Sequence, residues 1–171
     1  YIVAGGVGSD IILFNKNSST PIWTYNAGGS NDHIYSVDIS ANGEYIVAGT
    51  QGNPGEVYLF DKDSNTPLWK REMSNQDVTS VDISEDGKYI VAAVNPRNGG
   101  SGDSYVYFFK KNSNTVLWEY KVTGLISSVS ISSDGTFVSA GSEDDKIYLF
   151  KNSLTDRPSV IPYGPRHDSS F

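Results

Sequence analysis

The sequence predicts an all-β protein built from β-propeller blades, and two observations carry this prediction. The first is an internal repeat, because the segment Tyr-Ile-Val-Ala-Gly at residues 1–5 returns at 45–49 and, with changes, at 89–93 and 137–141. The steps of 44, 44 and 48 residues are typical of blades made from short strands. The second is that each unit contains short apolar runs separated by turn residues, with no helical period.

The second unit, residues 34–72, shows the blade plan most clearly. Its four strands, a to d, are predicted at residues 34–40, 44–49, 57–60 and 68–72. Strand a alternates apolar and polar residues, and the Asn42-Gly43 that follows it is the strongest short hairpin signal. Strands b and c are apolar on both faces, so the sheet must lie between two others. Radially stacked blades satisfy this requirement, whereas a two-sheet sandwich leaves one face of each sheet polar.

The other units repeat this plan, with one strand missing at each end of the repeat region. The third unit, residues 78–121, has predicted strands at 78–84, 88–94, 105–110 and 116–121. The first unit, residues 1–25, has strands b to d at 1–5, 11–14 and 22–25, and the fourth, residues 127–150, has strands a to c at 127–132, 136–141 and 146–150. The repeat region, 1–151, therefore holds about four blades that start at strand b and end at strand c.

The remainder of the chain, residues 152–171, is aperiodic and contains three prolines. The run Ser159-Val160-Ile161 within it is a candidate outermost strand, where a nearby proline is tolerated. The chain begins inside a repeat, and we expect it to be a piece of a larger propeller. Additional blades, or another propeller chain, would then complete the ring and cover the end sheets, whose bare faces are an aggregation hazard.

Composition excludes several classes of function. The net charge is −7, whereas a protein that binds nucleic acid needs a basic face to neutralise phosphates. The absence of cysteine excludes disulfides, thiolate zinc sites and cysteine nucleophiles. No apolar run approaches the roughly 18 residues that a transmembrane helix requires. We also find no Ser-His-Asp set, paired-carboxylate cleft or phosphate-binding glycine loop, and we predict no cofactor.

Loop lengths predict which rim of the propeller carries function. The spacing from strand a to strand b is eight residues in all three copies, and that from strand c to strand d is nine in all three. The b–c spacing, in contrast, ranges from 10 to 17 residues and the d–a spacing from 11 to 14. Alternate turns of a meander lie at the same end, so the two variable loops share one rim. Loops that vary on a fixed scaffold are where binding function concentrates, although neutral variation produces the same pattern.

The polar residues of these variable loops are the candidate binding residues. They are Asp32, His33, Asn53, Arg97, Asn98, Asp103, Glu143, Asp144 and Asp145. The longest loop, residues 95–104, is rich in glycine and either folds over a ligand or stays flexible. A lone histidine in such a loop is more typical of a solvent-exposed residue than of a ligand or a base.

Two segments carry a family resemblance. Residues 80–89, Ser-Val-Asp-Ile-Ser-Glu-Asp-Gly-Lys-Tyr, resemble the strand a and turn of WD-repeat propellers. Residues 57–69, which end in Pro-Leu-Trp, resemble the outer half of pyrroloquinoline-quinone-type (quinoprotein) propeller repeats. The likeness extends over residues 1–150 and implies a propeller.

The departures from both families predict structural roles for the recurring residues. The strand-c position that holds tryptophan in WD repeats is phenylalanine here, at Phe14, Phe60, Phe109 and Phe150. Without an indole N–H these rings should act as core. The strand-d tryptophans should lock neighbouring blades together; they are Trp23, Trp69 and Trp118. Quinoprotein enzymes also use a catalytic aspartate, but Asp38 and Asp82 occupy equivalent repeat positions. We therefore expect a structural role for them, such as capping the backbone amides of a neighbouring loop.

One turn carries weak metal candidates. Asp61, Asp63 and Asn65 have the spacing that opens an EF-hand loop, and Glu72 falls at position twelve. However, Thr66 stands where the loop needs glycine, and a strand follows instead of a helix. Asx residues also dominate such turns through local hydrogen bonds, so we assign no metal site.

These observations favour a non-catalytic scaffold or binding module that recognises a protein or glycan partner through the b–c and d–a loops. The alternative is a fragment of a quinoprotein-type propeller enzyme. A low content of charged residues, with many Asn, Ser, Thr and Tyr, favours an extracellular or cell-envelope setting. A cytoplasmic setting stays open.

Overall fold

The computed structural model describes residues 1–28, 33–152 and 158–163, and this part of the chain is all-β. The fifteen strands within it are β1 (Ile2–Gly5), β2 (Asp10–Phe14), β3 (Pro21–Asn26), β4 (His33–Ile39), β5 (Tyr45–Gln51), β6 (Gly55–Asp61), β7 (Trp69–Met73), β8 (Gln76–Ile83), β9 (Tyr89–Pro96), β10 (Ser104–Lys110), β11 (Val116–Val122), β12 (Ile126–Ile131), β13 (Phe137–Ser142), β14 (Ile147–Lys151) and β15 (Ser159–Tyr163). A single 3-10 turn, Arg97–Gly99, lies between β9 and β10 among the described residues.

The strands form four antiparallel meanders that are consistent with propeller blades, which confirms the predicted fold class. We call them sheet 1 (β1–β3), sheet 2 (β4–β7), sheet 3 (β8–β11) and sheet 4 (β12–β15). The candidate outermost strand is confirmed as β15, which pairs with β14 and gives sheet 4 a strand d beyond the predicted end at strand c. Among the described residues there is no helix of the length and apolar character needed to cross a membrane.

The register repeats from sheet to sheet because the sequence repeats. The strand-a valine lies opposite a strand-b alanine in each complete sheet; the pairs are Val37 with Ala48, Val81 with Ala92 and Val129 with Ala140. Each of these strand pairs also has one bulge near the start of strand a, between Ile34 and Ser36 in sheet 2 and between Val78 and Ser80 in sheet 3. Such a bulge bends the inner strand and increases its twist.

Consecutive sheets pack face to face, and this explains why strands b and c are apolar on both sides. In sheet 2, Ile46 and Phe60 face sheet 1, whereas Val47 and Leu59 face sheet 3, and all four are fully buried. A third cluster fills the space between sheets 3 and 4. The predicted core role of the strand-c phenylalanines is confirmed for Phe60, Phe109 and Phe150, each 0% exposed.

Polar contacts also join the sheets at repeated positions, as predicted. The indole N–H of Trp23 donates to the carbonyl oxygen of Lys62 at 2.8 Å, and that of Trp69 donates to Lys111 at 2.7 Å. The indole of Trp118 donates instead to the Asn152 side chain at 3.3 Å. These bonds hold each outer strand to the next sheet.

The recurring aspartates cap backbone amides across the sheet boundary. The carboxylate of Asp38 accepts the Ile83 N–H at 3.0 Å, and that of Asp82 accepts the Ile131 N–H at 2.8 Å. Asp38 and Asp82 also share a hydrogen bond with each other. Burial raises the pKa of Asp38 to about 7, and the hydrogen bond to Asp82 adds to this shift. Asp38 is therefore partly protonated near neutral pH.

Candidate binding rim

The b–c and d–a loops meet at one rim of the molecule, which we call the candidate rim. The Ala27 N–H donates to the Ser9 carbonyl at 2.8 Å, and the Glu143 N–H donates to the Leu125 carbonyl at 2.8 Å. Both bonds join a d–a loop to a b–c loop. The loops that vary in length therefore lie side by side.

The opposite rim is formed by the a–b and c–d turns and is uniform. The a–b turns of adjacent sheets are joined by backbone bonds, from Ala41 N–H to Glu85 O and from Glu85 N–H to Ser133 O, both at 3.1 Å. Within each turn a serine hydroxyl and an Asx side chain hydrogen-bond, as Ser84 and Asp86 do at 2.9 Å. This regularity explains why these turns keep one length in every repeat.

The centre of the candidate rim is organised by Asp77, which the sequence did not single out. Asp77 is 4% exposed, and its two carboxylate oxygens accept the N–H groups of Gly52 at 3.3 Å and Asn98 at 2.9 Å. One buried carboxylate therefore ties the b–c loops of sheets 2 and 3 together. The Gln51 side chain adds a third tie by donating to the Asn98 Oδ1 at 3.1 Å.

The longest loop is anchored at several points along its length. The Arg97 N–H donates to the Asn75 carbonyl at 3.1 Å, and the side chain of Gln76 donates to the Asp103 carbonyl at 3.1 Å. The loop is also shorter than predicted, because Asn95 and Pro96 belong to β9 and Ser104 to β10. These bonds hold the exposed side chain of Asn98 at the surface of the rim.

Asp103 and Asn53 lie at the exposed edge of the candidate rim. The Lys121 ammonium contacts the Asp103 carboxylate at 2.7 Å and holds the pKa of that carboxyl below its usual range. Arg97 is partly buried, and its Nε has no hydrogen-bond partner among the described residues. The buried Nε of Arg97 is therefore not accessible to a partner, whereas the exposed Asn53 side chain is.

The acidic loop Glu143-Asp144-Asp145 lies on the candidate rim of sheet 4. Burial raises the pKa of Asp144, but hydrogen bonds from Tyr148 at 2.6 Å and Lys146 at 3.0 Å outweigh it and keep the pKa below its ordinary value. The Asp144 carboxylate is thus engaged in hydrogen bonds with its own loop and strand. Asp145 has a positive φ of 61°, consistent with a tight turn.

His33 begins β4, and its Nδ1 is buried without a hydrogen-bond partner in the described residues. Its backbone pairs with Val7 in an isolated bridge, which brings the b–c loop of sheet 1 to strand a of sheet 2. Asp32 lies outside the described residues. The structure therefore brings His33 to the candidate rim beside the exposed Val7.

The weak metal candidates lie on the opposite rim, and their side chains make hydrogen bonds and ion pairs within the protein. Asp61 Oδ1 accepts the Asp63 N–H at 3.0 Å, and the Lys62 ammonium contacts Asp63 at 2.7 Å. The Asn65 side chain donates to the Thr24 carbonyl of sheet 1 at 3.2 Å. The described part of the chain holds no group of three or more His, Asp or Glu side chains placed to bind a metal ion.

Two further polar groups were missed by sequence reasoning because their roles depend on register. The Asn95 side chain accepts the Ile126 N–H and donates to the Ile126 carbonyl, both at 2.9 Å, which clamps sheet 3 to sheet 4. Glu56 is 8% exposed. Its carboxylate accepts a hydrogen bond from the Tyr58 hydroxyl and forms an ion pair with Lys70 at 2.6 Å. Burial, with Glu56 alongside, raises the pKa of Tyr58. Neither pattern stands out as a motif.

Two of the open cavities lined by described residues lie away from the centre of the candidate rim, one at the opposite rim and one on sheet 4. One of about 360 Å³ lies on the opposite rim between sheets 2 and 3 and is lined by Tyr45, Asp61, Leu68, Trp69, Lys111 and Asn112. The Lys111 ammonium sits 4.0 Å from the Tyr45 ring centroid within it, a cation–π contact. The other, of about 500 Å³, lies on the outer face of sheet 4 beside Gly141, Ile147 and Tyr163.

The fold and the loop rim together define an all-β repeat protein of propeller-blade type. Residues 2–159 match a family described as a family of unknown function, DUF5711, and the chain belongs to this family. No curated protein matches the chain.

Proposed function

We propose that the chain is a non-catalytic scaffold or binding module that recognises a protein or glycan partner through the candidate rim. The observation that carries the proposal is the convergence of the b–c and d–a loops, which differ in length between repeats; at their centre Asp77 ties the b–c loops of sheets 2 and 3 together. A rim whose loops are held in place before binding loses little conformational entropy when a partner docks. An extracellular or cell-envelope setting is part of this proposal.

The exposed chemistry of the rim suits polar recognition. Amide and carboxylate side chains dominate it, with Asn53, Asn98 and Asp103 exposed and Arg97 partly so. Such groups recognise hydroxyl-rich ligands and polar protein surfaces through directional hydrogen bonds. In the opposite rim, by contrast, Ser and Asx side chains hydrogen-bond within their own turns, as Ser84 and Asp86 do.

The experiment compares two variants of equal charge change. The rim variant carries Arg97→Ala, Asn98→Gly and Asp103→Ala, and the glycine keeps the positive φ of 54° at position 98. The control variant carries Lys16→Ala, Asp63→Ala and Asn112→Ala on exposed positions of the opposite rim. Each loses one cation, one carboxylate and one amide.

The purified chains are screened on a glycan array and by surface plasmon resonance against envelope and secreted proteins of the source organism. We expect a ligand that binds the wild type and the control variant, with binding at least about tenfold weaker in the rim variant, about 1.4 kcal/mol. Equal loss in both variants, or loss in the control alone, overturns the assignment of the candidate rim.

A further inference from the structure

One part of the opposite rim breaks the charge pattern of the repeat. The backbone N–H of Lys62 donates to the Glu44 carbonyl at 3.0 Å, and that of Lys111 donates to the Lys88 carbonyl at 2.9 Å. Lys62 and Lys111 therefore occupy equivalent positions in sheets 2 and 3, and so do Glu44 and Lys88. A carboxylate in sheet 2 is thus replaced by an ammonium group in sheet 3.

Two further positions change in the same direction. Asp61 and Lys110 are equivalent, because each lies opposite the first aromatic residue of strand b in its own sheet. Two residues further along the same turns, Asp63 corresponds to Asn112. Three carboxylates of sheet 2 therefore correspond to two ammonium groups and an amide in sheet 3, in a chain whose net charge is −7.

This change leaves the Lys111 ammonium without an acidic neighbour. The ammonium of Lys62 contacts the carboxylates of Glu44 at 3.6 Å and Asp63 at 2.7 Å. That of Lys111 instead donates to the Tyr45 hydroxyl at 2.8 Å, and no ion pair joins it to a carboxylate in the residues that the structure describes. Lys111 therefore keeps a positive charge that this part of the fold does not neutralise.

Two adjoining cavities surround this charge, and Lys111 and Asn112 line both of them. The larger is the cavity of about 360 Å³ between sheets 2 and 3, where Leu68 and Trp69 form an apolar wall. The smaller, of about 200 Å³, is also lined by Lys88, Tyr89 and Lys110. We call the two cavities together the lysine cleft. Both sheets that form it have all four strands.

We propose that the lysine cleft binds an acidic polypeptide segment of a partner protein, in which carboxylate side chains flank an apolar side chain. The carboxylates pair with the ammonium groups of Lys88, Lys110 and Lys111. The apolar side chain packs on Leu68, which is 51% exposed, and on Trp69. This site lies on the rim opposite the candidate rim and does not rest on the proposed function.

The borders of the lysine cleft favour a short acidic segment over an extended polyanion. Asp61 lines the larger cavity, and Asp86 contacts the Lys88 ammonium at 2.8 Å. A membrane surface or a polyanionic glycan would bring further negative charges against these carboxylates. A short segment places its charges between them, and its apolar side chain matches the exposed Leu68.

The segment belongs to a different protein and not to a second copy of this chain. The longest run of carboxylates in the sequence is residues 143–145, which contains no apolar residue and is followed by Lys146. The middle carboxylate of this run, Asp144, already accepts hydrogen bonds from Tyr148 and Lys146. A second copy therefore does not offer the required pattern at this loop.

The experiment measures binding of the whole chain to an array of heptapeptides. The first set carries Asp and Glu on both sides of a central Leu or Trp. The second set replaces the acids by their amides, and the third replaces the central residue by Ser. We expect the first set to bind saturably and at least about tenfold more tightly than the other two, about 1.4 kcal/mol. Added salt should weaken this binding, because it screens exposed charges.

A cleft variant gives sheet 3 the residues that sheet 2 carries at the equivalent positions, with the substitutions Lys88→Glu, Lys110→Asp and Asn112→Asp. It should fold, because Lys62 already lies among such carboxylates, and it should bind the first set at least about tenfold more weakly. A control variant makes the same kinds of replacement at exposed positions in and beside sheets 1 and 4, with Lys16→Glu, Asn17→Asp and Lys151→Asp. The control should bind as the wild type does.

A further variant tests the apolar wall alone. Leu68→Ser, at an exposed position, should weaken binding of the first set to the level of the third and leave the third unchanged. This variant decides the test if the cleft variant fails to fold.

Several results overturn the proposal. They are an absence of binding to the first set, equal binding of the acidic and amide sets, and equal loss in the cleft and control variants. Phosphatidylglycerol vesicles and polygalacturonate are assayed in parallel, and tighter binding to either than to the first set also overturns it. Self-association of the chain by light scattering that the cleft variant abolishes identifies a second copy as the occupant and overturns it too.

Discussion

At the scale of single residues, the contacts between sheets depend on a few side chains that recur at equivalent positions. Asp38 and Asp82 each accept a backbone N–H from the next sheet, and burial raises the pKa of Asp38. The fourth sheet has Ser130 at this position, and its hydroxyl donates to Asp82 at 2.9 Å. The row of carboxylates thus ends on a neutral donor, which relieves the repulsion that a third charge would add.

This arrangement predicts a pH-dependent stability. Because the pKa of Asp38 is about 7 in the folded chain and 3.8 ordinarily, the folded state binds the proton more tightly than the unfolded state. The stabilisation of the folded state by this tighter proton binding is complete below about pH 4, and it is lost as the pH rises toward 7. Asp38→Asn keeps the neutral form at every pH. It should stabilise the protein at pH 8 by about 1 kcal/mol, after allowance for the partial exposure of the site, and change little at pH 4.5.

Thermal unfolding at the two pH values measures this difference. Asp63→Asn, at an exposed position of the opposite rim, is the matched control for the loss of one carboxylate. An Asp38→Asn effect of equal size at both pH values contradicts the raised pKa of Asp38.

At the scale of elements, each a–b turn is fitted to a side chain of the preceding sheet. Gly87 has a φ of +70°, and a Cβ there would lie 2.5 Å from the Tyr45 ring. Tyr1 over Gly43 and Tyr89 over Gly135 repeat this contact. The sequence predicted the first of these turns from Asn42-Gly43 and the others from the repeat, but nothing in it indicated that the glycines also make room for an aromatic ring.

Gly87→Ala should destabilise the protein by about 1–3 kcal/mol, because it combines an unfavourable φ with a collision. Gly6→Ala, which meets open space at an ordinary φ, should change the free energy of unfolding by less than about 0.5 kcal/mol. Urea unfolding measures both. If Tyr45→Ala partly rescues Gly87→Ala in a double-mutant cycle, the collision contributes; purely additive effects assign the whole cost to φ.

At the scale of the whole molecule, the repeat predicted the sheets and the tryptophan contacts between them well, and it predicted poorly the polar contacts made by residues that do not recur. Alternation and turn chemistry placed strand a of sheet 2 within one residue of β4, and fixed spacings separated the two rims. Asp77 and Asn95 escaped detection because their partners, such as Ile126, are distant in sequence and depend on how the sheets are aligned. In the sequence Glu56 precedes the predicted strand c, but in the structure it belongs to β6 and contacts Tyr58 and Lys70.

The stacking of sheets predicts a gradient of local stability. Sheets 2 and 3 are covered on both faces, whereas sheets 1 and 4 each leave apolar side chains exposed, among them Ile2 at 53% and Ile147 at 54%. In a stacked repeat each unit is stabilised by its neighbours, so amides of β5 and β9 should exchange more slowly than those of β1 and β13. Hydrogen exchange of the free chain measures this order. Uniform protection across the four sheets contradicts it.

The indoles of Trp23, Trp69 and Trp118 supply one fluorophore at each of the three seams between consecutive sheets. Variants that retain one tryptophan at a time turn each seam into its own optical reporter. The order in which the seams open can then be watched without attaching any label.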